Sequence, residues 1–148
     1  MKTSIRIKRV ASKKDLHAAF AIRRRVFVLE QGVPERIEID GDDARAIHLL
    51  AFASGKPVGA ARIVIQGATA KFGRMAVLKS YRGRGIGSAL LIRTVKTARQ
   101  NGAQTIYLHA QVTAIAFYQR MGFQPVGSTF EEAGILHRKM IYRSPDIL

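Results

Sequence analysis

The chain has 148 residues, no cysteine, and 25 Lys and Arg against 10 Asp and Glu, which gives a net charge of +15 at pH 7. Without cysteine it has no disulfide, thiolate metal site or cysteine nucleophile, and no apolar run approaches the roughly 20 residues of a membrane span. The first residues contain no apolar signal segment. We therefore expect one cytoplasmic domain over residues 1–148, with no membrane partner.

Apolar periodicity and turn residues predict the secondary structure in chain order. Alternating apolar residues indicate a strand at 3–10, and Ser12 with Asp15 signals the start of a helix that reaches Glu30. Gly32-Val33-Pro34 ends this helix, and a short helix or loop follows. The remaining predicted elements are strands at 46–53, 58–65 and 70–78, a helix at 88–99 ended by Asn101-Gly102, a strand at 104–110, a helix at 113–121, and strands at 123–127 and 136–142. This order predicts an α/β fold with a sheet of mixed direction.

Charge is distributed unevenly along the chain. Residues 44–130 contain twelve basic residues and no acidic one, whereas six of the ten carboxylates lie between Glu30 and Asp43. The basic excess suits a polyanion and the acidic segment suits a cation, although a charge that only serves solubility is the alternative. We expect the three consecutive arginines Arg23 to Arg25 to form a solvent-exposed helix face.

A glycine-rich loop, Arg82–Ser88, lies between the predicted strand 70–78 and the predicted helix 88–99 and reads Arg-Gly-Arg-Gly-Ile-Gly-Ser. Glycines let backbone N–H groups approach a ligand, and a helix that begins there adds free donors and its positive dipole end. The spacing matches neither a P-loop nor a dinucleotide fingerprint. The flanking strand and helix favour anion binding over the alternative, a basic surface turn.

The chain resembles GNAT-type acetyl-CoA-dependent N-acetyltransferases over nearly its whole length. The motifs that carry the resemblance are Met75-Ala76-Val77, Arg82-x-x-Gly85-x-Gly87, Gln111-x-x-Ala114-x-x-Phe117-Tyr118 and Met121-Gly122-Phe123. Three further pieces are similar to the ElaA-like branch of that family, namely Glu30 to Pro34, His109 to Gln111 and Gly134 to His137.

The resemblance implies a fold, a co-substrate and a set of site residues. The fold would be a mixed, mostly antiparallel central sheet that splays between two parallel strands and is flanked by helices. Acetyl-CoA would place its pantetheine arm in the splay and transfer its acetyl group directly to a primary amine, with Tyr118 as general acid to the thiolate. The implied cofactor-binding residues are Met75, Ala76, Val77, Arg82, Gly83, Arg84, Gly85, Ile86, Gly87, Ser88, Gln111 and Phe117.

The general base is left open by the sequence. Many relatives carry a Glu in the strand before the glycine loop, where this chain has Phe72-Gly73-Arg74. Water could carry the proton, and the histidines do not have the spacing of a metal site, so we expect no metal. The candidate side chains are Glu30, Glu35, Glu38, Asp40, Asp42, Asp43, Glu131, Glu132, His48, His109 and His137.

Two other functions compete with the acetyltransferase. A chain that lacks the strand carboxylate could be an acyl-CoA-binding sensor with little turnover. An RNA-binding protein is less favoured, because the eleven aromatic residues do not interleave with the basic ones as base-stacking platforms do. The acceptor, a small-molecule or peptide amine, and the oligomeric state, a homodimer included, stay open at this stage.

Overall fold

The computed structural model describes residues 4–143, which form a seven-stranded sheet in the order β1-β2-β3-β4-β5-β7-β6. Every neighbouring pair is antiparallel except β4 and β5, which are parallel, so the predicted mixed, mostly antiparallel sheet is confirmed. The strands are β1 (Ile5–Arg9), β2 (Ile47–Ala53), β3 (Lys56–Gln66), β4 (Thr69–Val77), β5 (Thr105–Gln111), β6 (Phe123–Glu132) and β7 (Ile135–Tyr142).

One strand is longer than its sequence pattern suggested. We expected β6 to end at Gly127, but it continues to Glu132. Gly127 has a φ of 74°, and the register with β7 shifts between Val126 and Phe130, so the chain bulges there and resumes pairing. A glycine inside a strand commonly marks such a bulge rather than an end.

Helices cover both faces of the sheet. Ser12 accepts a hydrogen bond from the Asp15 N–H at the start of the first helix, and Asn101 caps the third, as predicted. None of the helices within residues 4–143 has the length and apolar content needed to cross a bilayer. The helices are α1 (Lys13–Arg23), which continues as a π-helix (Arg24–Glu30), α2 (Glu35–Glu38), α3 (Ile86–Gln100) and α4 (Ile115–Arg120), with short 3-10 turns at Gly41–Ala44, Lys79–Tyr81 and Val112–Ala114.

The sheet has a separate apolar core on each face. The core on the α3 face is the larger and includes Phe72 of β4 and Leu108 of β5, packed with α3 and with Tyr118 of α4. The core on the α1 face is smaller and joins Ala76 of β4 to Ile22 of α1. The first helix contacts β2, β3 and β4, so this smaller core lies over that half of the sheet.

A bulge in β4 turns the strand over at its centre. Ala60 pairs with Ala76 and Arg62 pairs with Gly73, so two residue steps in β3 match three in β4. The extra residue changes the side-chain alternation, since Phe72 packs on the α3 face whereas Ala76, four positions later, packs on the α1 face. Arg74 lies in the bulge with a φ of 51°, a left-handed conformation that is uncommon outside glycine.

Beyond this bulge the two parallel strands separate. Their pairing runs from Thr69 with Thr105 to Phe72 with Leu108. β4 then continues to Val77 and β5 to Gln111 without any pairing between them in the part of the chain that the structure describes. The backbone edges of the two strands therefore border an open gap.

Our expectation that Arg23 to Arg25 form a solvent-exposed face is wrong for Arg23. Its side chain is 1% exposed and donates hydrogen bonds to both carboxylate oxygens of Glu38, at 2.7–3.2 Å, and to both of Asp43, at 2.7 and 3.1 Å. Arg24 and Arg25 are exposed, as expected. A buried guanidinium is tolerated here because it is paired with two carboxylates and hydrogen-bonded through all three nitrogens.

Two arginines from neighbouring strands complete this ion network. Arg62 of β3 binds the Asp40 carboxylate at 2.6 and 2.9 Å, and Arg74 of β4 binds Glu38 and Asp40 at 3.0 and 3.1 Å. The hydrogen bond from Arg62 lowers the pKa of Asp40 from 3.8 to about 2. The segment that contains α2 is thus fixed across the sheet, with Glu38, Asp40 and Asp43 paired with arginines.

Candidate active site

A cavity of about 720 Å3 occupies the gap between β4 and β5 and passes to both faces of the sheet. The sequence assigned thirteen residues to the site. Twelve of them line this cavity and one does not. Arg84 is the exception; its guanidinium stacks over the Tyr81 ring, 5.1 Å from the centroid, while its backbone N–H belongs to the loop. The twelve are Met75, Ala76, Val77, Arg82, Gly83, Gly85, Ile86, Gly87, Ser88, Gln111, Phe117 and Tyr118.

The glycine loop forms one end of the cavity. Gly83 and Gly85 have φ values of 77° and 80°, which favour glycine, and Gly85 is the N-cap of α3. The N–H groups of residues 83–88 donate to no carbonyl within residues 4–143. Unpaired donors at the start of a fifteen-residue helix are suited to an anionic group.

Gly87 shows how closely three elements meet at this end. A Cβ atom placed on it would lie 3.6 Å from the Met75 Cε of β4 and 3.6 Å from the Phe117 Cζ of α4. The loop, the divergent half of β4 and α4 therefore converge on one point. A ligand bound to the loop amides would extend directly into the gap between the strands.

Arg82 is already engaged in an ion pair at the mouth of the cavity. Its guanidinium binds the Glu30 carboxylate at 2.7 and 2.9 Å, and its Nε donates to the Val77 carbonyl at 2.9 Å. The hydrogen bond from Arg82 lowers the pKa of Glu30, so this carboxylate is ionised at neutral pH. A phosphate bound at the loop would therefore compete with Glu30 for the Nη1 and Nη2 donors of Arg82.

Tyr118 lies on α4 against the α3-face core. Its ring contacts those of Phe117 and Phe123, with centroids 5.1 and 6.2 Å away. Burial raises the pKa of the phenol, so it is protonated across the physiological range. No side chain among residues 4–143 hydrogen-bonds the Tyr118 hydroxyl, and Tyr118 lines the cavity.

Gln111 ends β5 on the opposite side of the gap. Its amide exchanges hydrogen bonds with Gln31, which follows the π-helix, at 2.9 and 3.4 Å. Gln31 directly follows Glu30, so these two consecutive residues contact both sides of the gap, one through Gln111 and one through Arg82. The sequence pattern did not indicate this arrangement, because Glu30 and Arg82 are 52 positions apart and Gln31 and Gln111 are 80 positions apart.

A cluster of titratable groups lies on the α1 face of the sheet, opposite the core that contains Tyr118. His109 of β5 shares a hydrogen bond with Glu132 of β6, at 3.0 Å between Nδ1 and Oε1, and His137 of β7 places its Nε2 3.8 Å from the Glu132 Oε2. The hydrogen bond from His109 lowers the pKa of Glu132 from 4.5 to about 2. All three side chains line the cavity. Sequence reasoning named each of them separately as a possible base but did not place them together.

The remaining base candidates are paired with other groups or exposed, although Glu38 and Asp40 also line the cavity. Glu35 binds Arg24, and Asp42 binds Arg45, at the surface. His48 places its Nε2 2.9 Å from the Asp43 carbonyl. Glu30, Glu38, Asp40 and Asp43 are held by arginines, as described above, and Glu131 is exposed and does not line the cavity.

Comparison with known proteins shows which family the chain resembles. The family model for the acetyltransferase (GNAT) domain matches residues 10–144. The uncharacterized N-acetyltransferase YjcF of Bacillus subtilis (strain 168) is 36% identical over 131 residues, which cover 88% of this chain and 94% of YjcF. Protein ElaA of Escherichia coli (strain K12) is 35% identical over 132 residues, which cover 85% of this chain and 86% of ElaA.

Solved structures agree with the sequence comparison. The crystal structure of Escherichia coli ElaA superposes with a TM-score of 0.81 at 31% identity, covering 96% of this chain and 99% of that one. An acyl-CoA N-acyltransferase from Pseudomonas aeruginosa gives a TM-score of 0.81 at 28% identity, covering 97% and 100%. The chain therefore belongs to the GNAT family of acetyltransferases, as its motifs indicated.

Proposed function

We propose that this protein transfers the acetyl group of acetyl-CoA directly to a primary amine. The observation that carries the proposal is the single cavity that joins the unpaired amides of the glycine loop, the open edges of β4 and β5, and the protonated phenol of Tyr118. GNAT acetyltransferases use acetyl-CoA, and the residues present suit such a molecule at three points.

The first point is the diphosphate. The N–H groups of residues 83–88 would bind its oxygens at the positive end of α3, and Arg82 would add charge at the mouth. The second point is the pantetheine arm. The edge of β4 at Met75 to Val77 has no partner from β5, and Gln111 faces it across the gap, so both can hydrogen-bond the amides of an extended chain.

The third point is the thioester. When acetyl-CoA is bound it supplies the acetyl carbonyl, which the amine nitrogen attacks while the carbon–sulfur bond breaks. A backbone N–H of β4 near Met75 would stabilise the oxyanion. Tyr118 would then give its phenolic proton to the departing thiolate, because burial keeps that proton in place until an anion forms nearby.

Replacing Tyr118 with Phe tests the acid role. We expect acetyl transfer to fall about 10²-fold, while the dissociation constant for CoA changes by less than about twofold, because the ring still packs against Phe117 and Phe123. The assay is thiol release from acetyl-CoA in the presence of a panel of polyamines, amino acids, aminoglycosides and peptides. An unchanged rate would remove the acid role from Tyr118.

The proposed function has its own test, which does not depend on any variant. Calorimetric titration of the wild-type protein with CoA should show binding in the micromolar range that survives moderate salt. If CoA does not bind, or if it binds but no amine in the panel is acetylated, the transferase is rejected. The second outcome would favour an acyl-CoA-binding sensor.

A further inference from the structure

The hairpin of β6 and β7 fixes the orientation and the tautomer of one histidine in the cavity wall. His137 Nδ1 lies 2.7 Å from the Ile135 carbonyl oxygen. A carbonyl only accepts hydrogen bonds, so Nδ1 must carry a proton, and the neutral ring then has its lone pair on Nε2. The ring is stacked on Phe130, with centroids 6.1 Å apart and planes 22° apart, which restrains its rotation.

The other ring nitrogen of His137, Nε2, lies near a carboxylate. Nε2 is 3.8 Å from the Glu132 Oε2, which is too long for a hydrogen bond but close for an ion pair. Glu132 is kept in this position by His109, whose Nδ1 is 3.0 Å from its other oxygen, and it is ionised at neutral pH because its pKa is lowered to about 2. A proton that arrives at Nε2 is therefore stabilised by an anion already in place.

The position of His137 in the cavity complements that of Tyr118. His137 pairs with Gln111 in the sheet, and both side chains lie on the face opposite the core that contains Tyr118. Both His137 and Tyr118 line the one cavity that passes through the gap between the strands. A proton acceptor and a proton donor thus stand on opposite faces of the sheet, with the gap between them.

We propose that His137 is the general base of the transferase, with Glu132 and His109 as its positioning residues. This inference rests on the proposed function. In the step, the amine nitrogen forms a bond to the acetyl carbon and releases a proton to His137 Nε2. The carbon–sulfur bond breaks, and the thiolate takes the proton of Tyr118. The imidazolium and the phenolate afterwards exchange protons with water, which restores both residues.

The charges around His137 set the expected pH dependence. The titratable groups on this face are Glu132 of β6, Tyr107 and His109 of β5, Lys139 of β7 and, on β4, Lys71, whose charge acts on Glu132. Among them Glu132 is the anion, 3.8 Å from His137, and the lysines are cations. Removing the Glu132 charge should therefore move the acidic limb of the rate profile to lower pH.

The first test is His137→Asn, because an Asn amide can still donate to the Ile135 carbonyl but has no basic nitrogen. We expect kcat/KM for the best amine to fall about 10²- to 10³-fold and the acidic limb of its pH profile to disappear, with CoA affinity within about twofold of wild type. His17→Asn, an exposed change on α1, is the matched control and should change neither quantity.

The second variant, Glu132→Gln, keeps the proposal testable if the first one folds poorly. We expect the acidic limb to move to lower pH and the rate at neutral pH to fall. If wild-type enzyme acetylates amines while His137→Asn retains its rate and its acidic limb, or while Glu132→Gln leaves the limb in place, His137 is not the base. Failure of wild type to bind CoA or acetylate any amine would instead overturn the proposed function itself.

Discussion

Arg23→Ala is the change that best tests whether a buried ion network holds the α2 segment over the sheet. Arg23 is 1% exposed, and its removal leaves the carboxylates of Glu38 and Asp43, which are 3% and 8% exposed, without their principal donor. Breaking a buried pair from one side costs about 3–5 kcal/mol. Arg74 and Arg62 keep one contact each to these carboxylates. We therefore expect the free energy of unfolding to fall by about 3 kcal/mol, the lower end of this range.

The assay is urea unfolding at 25 °C and pH 7, followed by circular dichroism, with a thermal scan beside it. A loss of about 3 kcal/mol corresponds to a fall in Tm of about 10 °C for a chain of this length. Arg24→Ala is the matched control, because the same residue type one position later makes a single ion pair with Glu35 in which both side chains are more than half exposed. That change should cost less than about 1 kcal/mol.

The comparison between the two variants decides the outcome. If Arg23→Ala costs no more than Arg24→Ala, the network contributes nothing beyond surface pairing, and the argument from burial is refuted. If both unfold the protein to the same large extent, the effect belongs to the helix rather than to the network. The expected result is a difference of at least about 2 kcal/mol between them.

Two further predictions concern carboxylates at the edges of the site. Glu30→Gln should lower the dissociation constant for CoA about two- to fivefold at low salt, because it removes an anion beside the phosphate loop and releases Arg82; weaker binding in a calorimetric titration would show that Glu30 instead holds Arg82 in place. Asp40 has a folded-state pKa of about 2 against an ordinary 3.8, so its stabilisation is complete above about pH 4 and is lost as the pH falls through 2. After allowance for solvent screening, the stability difference between wild type and Asp40→Asn should shrink by about 1–2 kcal/mol between pH 6 and pH 2.5 in urea unfolding, and a constant difference would contradict the assignment.

Local patterns were sufficient to predict most of the sheet and the glycine loop. Alternating apolar residues identified the strands, and the Ser12 and Asn101 signals identified two helix ends, because those features depend on near neighbours in the chain. The burial of Arg23 could not be read in this way. Its partners lie 15 and 20 positions later, so the same arginine looks solvent-exposed until the fold brings the acidic segment against it.

The site was predicted less completely than the fold. The motifs named residues of the loop, of the β4 edge and of α4 that line one cavity, while the Arg84 side chain stacks on Tyr81. The cluster of His109, Glu132 and His137 depends on the order of three strands, with β7 between β5 and β6. The separation of residues along the sequence does not show which strand lies between two others in the sheet. These three residues therefore remained separate candidates.

The bulge in β4 acts on the strand as a frame shift. Upstream of it Phe72 packs on the α3 side, and downstream it is Met75 and Val77 that do so, while Ala76 lies on the α1 side. Replacing a single side chain leaves this offset intact. Deleting one residue between Phe72 and Ala76 would instead exchange the faces of everything that follows, and would turn the strand edge away from the helix start it now adjoins. Between Phe72 and Ala76 a change in the number of residues is therefore expected to be more disruptive than a change in their identity.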